Sequence, residues 1–90
     1  MPIIALFKVS GCTRAKYTAV LKELDQIGVG AAPRGQQYHV AYGSDDNVQV
    51  IDVFDTRESL DAFGQALAPL LQRHSITADV EVHDVVNTMK

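Results

Sequence analysis

Three features of the sequence predict an α+β domain with the element order β-α-β-β-α-β. Four short runs are rich in β-branched and aromatic residues, two stretches carry apolar residues at helical spacing, and turn-forming residues separate them. "IIALFKV" (3–9) is the first strand. "SGCT" is a turn with Thr13 as N-cap, and Tyr17, Val20, Leu21, Leu24 and Ile27 then form the apolar stripe of a helix that Gly28 stops. "GVGAAPRGQ" has no periodicity and reads as a loop, the most mobile part of the chain. "QYHVAYG" (37–43) and "VQVIDVF" (48–54) are strands two and three. They are joined across Ser44–Asn47, where Asn47 tolerates the left-handed conformation.

Asp55 or Thr56 caps the second helix, with Glu58 near its positive end and Leu60, Phe63, Leu67, Leu70 and Leu71 on its apolar stripe. Pro69 should kink or break that helix, because proline removes a backbone donor and clashes with the preceding turn. "ADVEVHDVV" (78–86) is strand four. The order matches the ferredoxin-like split arrangement: a four-stranded antiparallel sheet in the order 4-1-3-2, with both helices on one face.

The 90 residues suit one domain, 1–90, with a small core. A net charge of −3 argues against a nucleic-acid surface. Tyr38, Val40 and Tyr42 share one face of strand two, but without basic flanks they read as interface rather than as a base-stacking platform. No apolar run approaches the roughly 18 residues of a membrane span, and "MPIIALFKVS" lacks signal-peptide features. With one cysteine the expected location is the cytoplasm.

The two central strands are apolar on both faces. Ile3, Ala5, Phe7 and Val9 oppose Ile4 and Leu6 on strand one; Val48, Val50 and Phe54 oppose Ile51 and Val53 on strand three. Two helices cover one face, so the other needs a second sheet, and a face-to-face homodimer is expected.

Asp52 is the exception in its strand. A buried carboxylate needs a partner, and a four-residue Ser44–Asn47 loop places His39 directly opposite it, within reach across the hairpin. Gln37 then opposes Phe54, while the small Ala41 and Gly43 leave room for a pocket. Two readings stand: a structural pair, or a carboxylate that orients a general base. In the second, His39 and Asp52 are the catalytic residues, and Phe7, Gln37, Phe54 and Phe63 contact an aromatic ligand. A His39, Asp52 and His83 metal set across a dimer has no spacing signature, and no metal is expected. His74 suits the C-terminal end of its helix. Cys12 lies where small metal carriers of this fold place a Cys-x-x-Cys pair, but Arg14 and Ala15 follow it. Packing and a reactive thiol are both open to it.

At "VFDTRESLDAFGQALAPLL" the chain resembles the antibiotic biosynthesis monooxygenase family of dimeric α/β barrels. Members end strand three with an acid, an apolar residue and an aromatic, followed by Ser/Thr and a helix with acidic residues at its start. Asp52, Phe54, Thr56, Glu58 and Leu60 match that pattern. "HVAYGSDDN" and "VHDVV" are similar to a branch of small, mostly uncharacterised barrels. The resemblance implies a homodimer with a pocket between sheet and helices in each subunit. It also implies oxygenation of polycyclic phenols without metal or flavin in some members, and haem degradation in others. Phe54 stands where many members have Trp. Phe63 stands where the helix often has a histidine that holds iron in haem-degrading members, and a phenyl ring ligates no metal. The function expected is binding of a hydrophobic or aromatic small molecule, with cofactor-independent monooxygenation as the chemistry. The alternative is a non-catalytic ligand-binding or assembly domain.

Overall fold

The computed structural model describes residues 2–30 and 33–88. The elements run β1 (Ile3–Ser10), α1 (Arg14–Gln26), β2 (Gln36–Ser44), β3 (Asn47–Phe54), α2 (Arg57–Arg73) and β4 (Thr77–Asp84). The sheet is antiparallel in the order β2-β3-β1-β4, the expected 4-1-3-2 arrangement read from the other edge. Positions 31 and 32 of the expected loop lie outside the described residues. No helix among the described residues is long and apolar enough to cross a membrane.

Both helices pack on one face of the sheet. Ile3, Ala5, Phe7, Val48 and Phe54 from the strands meet Val20 and Leu24 of α1 and Leu60, Phe63 and Leu70 of α2. Phe54 is fully buried, and sealing such a side chain from water contributes about 1.5–3 kcal/mol. Thr13 caps α1 by accepting from the Lys16 amide, and Thr56, rather than Asp55, caps α2 by accepting from the Ser59 amide. Asp55 instead donates its amide to the Gly35 carbonyl. Gly35 has φ +84, and a Cβ there would run into Asp55 and Ser59. A glycine at that position therefore lets the start of β2 lie against the start of α2.

Several local expectations are corrected. Pro69 does not break α2, which runs through it to Arg73. Pro69 and Gln65, one turn back, both lie on the exposed side of the helix, so the carbonyl that proline leaves without a donor is open to solvent. Ile27 is the C-cap of α1 and 55% exposed, not part of the buried stripe. The hairpin turn is two residues, Asp45–Asp46, because Ser44 and Asn47 pair with each other. Asn47 is not left-handed: Ser75 is the one non-glycine residue with positive φ among those described. Gly43 absorbs the strain, with φ +111 in a place where a Cβ would strike the Asn47 carbonyl. β4 ends at Asp84, short of the expected 86.

The tighter turn leaves the register unchanged, since closing a four-residue loop symmetrically adds one pair without slipping the others. Gly43 still faces Val48 and His39 still faces Asp52. The irregularity falls at the far end, between Gln36 and Tyr38, where one extra residue is accommodated.

Candidate functional site

That bulge shapes the polar cluster under the helices. Asp52 Oδ1 lies 2.5 Å from His39 Nδ1 and accepts from Gln36 Nε2 at 2.9 Å. Gln36, not Gln37, stands opposite Phe54, because the extra residue at the bulge shifts the pairing by one. Gln37, expected to contact a ligand, is exposed and lines neither the cavity nor the groove described below. The Asp52 side chain is 2% exposed and that of His39 is 29% exposed. A nearly dry carboxylate thus faces an imidazole whose other edge approaches the surface.

The other edge of His39 is also occupied. Nε2 lies 2.7 Å from the hydroxyl of Tyr17, and the two rings stack within 8° of parallel. Tyr17 lies in the first turn of α1, one turn before Val20, so it shares the sheet-facing side of the helix. Burial pushes its phenol pKa up, with the nearby Asp52 charge and Cys12 adding to the rise. The result is a continuous row: Gln36, Asp52, His39 and Tyr17. The sequence reading placed Tyr17 in an apolar stripe. The available signal was its polar tip, since a tyrosine on a buried stripe needs a hydrogen-bond partner for its hydroxyl.

Tyr17, His39 and Asp52 of that row line a cavity of about 70 Å³ between sheet and helices, with Gln36 behind them on Asp52. The rest of the lining is apolar, with Phe7, Val20, Leu24, Phe63 and Leu67 prominent. Phe7 and Phe63 both line the cavity. Phe54 does not: it is wholly buried behind Phe63, with ring centroids 5.6 Å apart, and supports that ring rather than the cavity. An outer groove of about 650 Å³ runs past Arg34, Thr56 and Ala62, and Phe63 lines it as well as the cavity.

Cys12 is buried against the cavity, and desolvation raises its thiol pKa, only partly opposed by Lys16. That is a packing thiol, not an activated one. His83 pairs with Ile4 on the face of the sheet away from the helices, so within one chain it cannot join His39. It faces Glu81 at 3.2 Å. His74 caps α2 and meets Glu23 of α1 at 3.0 Å. Among the described residues no three His, Cys, Asp or Glu side chains converge in a way that could hold a metal ion.

Fold and site together describe a ferredoxin-like α+β domain with a partly open apolar cavity that Tyr17, His39 and Asp52 help to line. This is the fold of the antibiotic biosynthesis monooxygenase-like proteins. A candidate antibiotic biosynthesis monooxygenase from Deinococcus radiodurans superposes with a TM-score of 0.64 at 10% identity, covering 100% of this chain and 97% of that one. SnoaB, a cofactor-independent oxygenase from Streptomyces nogalater, superposes with a TM-score of 0.59 at 19% identity, covering 98% of this chain and 94% of that one. No family profile and no curated protein matches the sequence.

Proposed function

We propose that the chain is a homodimeric barrel that binds a hydrophobic aromatic molecule bearing a hydroxyl or an acidic ring position. We further propose that it promotes the molecule's oxygenation by dioxygen without a cofactor. The observation that carries this reading is the pairing of His39 with the buried Asp52 beside an otherwise apolar cavity. A neutral imidazole held through Nδ1 by a dry carboxylate is a general base of fixed orientation. Removing a proton from an anthrone-like substrate leaves an electron-rich anion. Dioxygen is the oxidant, and the balance is a ring methylene plus dioxygen giving a ring carbonyl plus water. SnoaB, a cofactor-independent oxygenase of the same fold, supports this choice of chemistry.

The resting cavity is about half the roughly 150 Å³ that admits benzene in an engineered apolar cavity. An aromatic ligand therefore needs side chains to yield. Phe63, shared by cavity and groove, is the wall positioned to do so. The small resting volume favours a second reading, in which His39–Asp52 is structural and the domain is a non-catalytic binding or assembly module.

The dimer is part of the proposal. The sheet face away from the helices carries Ile4, Leu6, Ile51 and Val53, flanked by Tyr38 at 61% and Tyr42 at 51% exposure. An apolar sheet face of this kind seeks a cover, and a second copy supplies one.

The test is oxygen uptake with an anthrone-like substrate. The wild-type protein should accelerate it and His39→Ala should not. Equal uptake by the two overturns the catalytic reading, and the second reading then stands if His39→Ala lowers thermal stability alone.

A further inference from the structure

We infer that Tyr17, rather than His39, is the group that touches the ligand's acidic proton, acting as the outer member of a Tyr17–His39–Asp52 proton relay. This inference rests on the ligand-binding reading above and changes which atom meets the ligand.

The geometry leaves neither ring nitrogen of His39 free. Nδ1 faces Asp52 at 2.5 Å and Nε2 faces the Tyr17 hydroxyl at 2.7 Å. The buried carboxylate, already accepting from Gln36, draws the imidazole proton to Nδ1. Nε2 is then the acceptor, so Tyr17 donates its hydroxyl proton. A hydroxyl that donates once still has lone pairs to accept with. No other side-chain partner of the Tyr17 hydroxyl occurs among the described residues, and Tyr17 lines the cavity. Tyr17 thus belongs to the cavity lining while its bond to His39 lies on the exposed side, so a ligand that brings an O–H to this rim meets Tyr17 Oη.

The step balances without any oxidant. The ligand's proton goes to Tyr17 Oη while the original Tyr17 proton goes to His39 Nε2. The products are a ligand oxyanion, a neutral Tyr17 and an imidazolium beside the Asp52 carboxylate. No electron moves and the net charge of the site is unchanged. Tyr17 need never exist as a phenolate, which agrees with burial and Asp52 disfavouring its ionisation. The proton taken up by His39, in contrast, lands on a ring whose other nitrogen lies 2.5 Å from the Asp52 carboxylate. The row thus places the positive charge one group back from the ligand and presents an uncharged hydroxyl to it. The ligand class follows: a compact apolar body with one weakly acidic hydroxyl, a phenol or an enol, and no second charge, because the remaining wall offers nothing to pair one.

The probe is 4-nitrophenol at a pH well below its own pKa, with nitrobenzene as the analogue that has no proton to give. Bound to the wild-type protein, 4-nitrophenol should show the phenolate absorption band. Tyr17→Phe keeps the ring stack and should bind nitrobenzene as wild type does. It should bind 4-nitrophenol about tenfold more weakly, with no phenolate band. His39→Gln can accept from Tyr17 but takes up no proton, and it too should bind 4-nitrophenol in the neutral form. A phenolate band in Tyr17→Phe equal to wild type overturns the relay and makes His39 the contacting base, leaving the ligand-binding reading intact. A band retained in His39→Gln overturns it equally. Failure of both compounds to bind the wild-type protein overturns the ligand-binding reading and the relay with it.

Discussion

The hydroxyl of Tyr17 sits 2.7 Å from Nε2 of His39, although 22 residues separate them in the chain. The contact joins the first turn of α1 to the edge strand β2. A second tie acts beside it: the Arg14 amide donates to the Asp45 carbonyl at 2.7 Å, and the Arg14 side chain meets the Asp45 carboxylate at the hairpin turn. The exposed ion pair adds little, but the backbone bond fixes where α1 begins relative to β2. The reach of Tyr17 to His39 is therefore set by backbone, and the polar row is assembled before any ligand arrives.

His39 and Asp52 should be energetically coupled. Replacing His39 with Ala leaves a nearly dry carboxylate with Gln36 as its remaining side-chain partner, whereas replacing Asp52 with Ala leaves an imidazole that water can reach. A double-mutant cycle followed by urea denaturation should give a coupling of about 1–3 kcal/mol. A coupling near zero would show that the pair contributes nothing to folding.

The bulge predicts unequal roles for two adjacent glutamines. Gln36→Leu removes the second donor to Asp52 and should destabilise the protein by about 1–2 kcal/mol. Gln37→Leu changes an exposed side chain and should stay within roughly 0.5 kcal/mol of wild type. Urea midpoints of the two variants test this directly, and the reverse order would place the bulge elsewhere.

That contrast marks how far the sequence could be read. Strand and helix identities followed from side-chain period, and the His39–Asp52 pairing from hairpin geometry that a shorter turn left intact. Gln36 was hidden because a bulge carries no sequence mark here: two glutamines in a row give no hint of which one faces inward. Tyr17 was hidden because helical spacing assigns a face but not a partner on a distant strand. Pro69 does not break α2, because the carbonyl it frees lies on the exposed side of the helix, which the apolar spacing alone did not weigh. Phe54 was given to the ligand on its strand face alone, while the fold placed Phe63 between it and the cavity.

Phe63 should be both a stability and an access residue. Phe63→Ala removes a buried ring that packs on Phe54 and should cost about 3–5 kcal/mol. It also removes the wall shared by cavity and groove. In conditions where the variant remains folded, nitrobenzene should bind it faster than wild type, as read by stopped-flow fluorescence. Unchanged association would place the entry route away from Phe63.

The proposed dimer depends on the face away from the helices. Ile51 lies opposite Leu6 and Val40 on that face, at the centre of the apolar stripe. Ile51→Lys should leave the helix-side core untouched and abolish a sheet-to-sheet interface. Light scattering should give a dimer mass for the wild-type protein and a monomer mass for the variant. A monomeric wild type would remove the dimer from the proposal.

Alkaline pH should destabilise the fold through two groups whose pKa values are raised on folding. Burial raises the Cys12 thiol, with Lys16 partly opposing it. Burial, then Asp52 and Cys12, raise the Tyr17 phenol. Below their unfolded values, about 9 for the thiol and 10 for the phenol, both groups are protonated in both states and their contribution to stability is complete. As pH rises past those values the unfolded chain ionises first, so stability falls until the folded groups ionise as well. Unfolding free energy should therefore be level between about pH 7 and 8 with respect to these groups and decline above about 9. In Cys12→Ala the onset should move toward about 10, where Tyr17 takes over, and adding Tyr17→Phe should flatten the curve further. A thiol reagent gives the independent check: at about pH 8 Cys12 should react far more slowly in the native protein than in urea, because the buried thiol holds little thiolate. Equal rates would mean that the cavity wall at Cys12 opens readily to solvent, and the alkaline decline would then have to come from other groups.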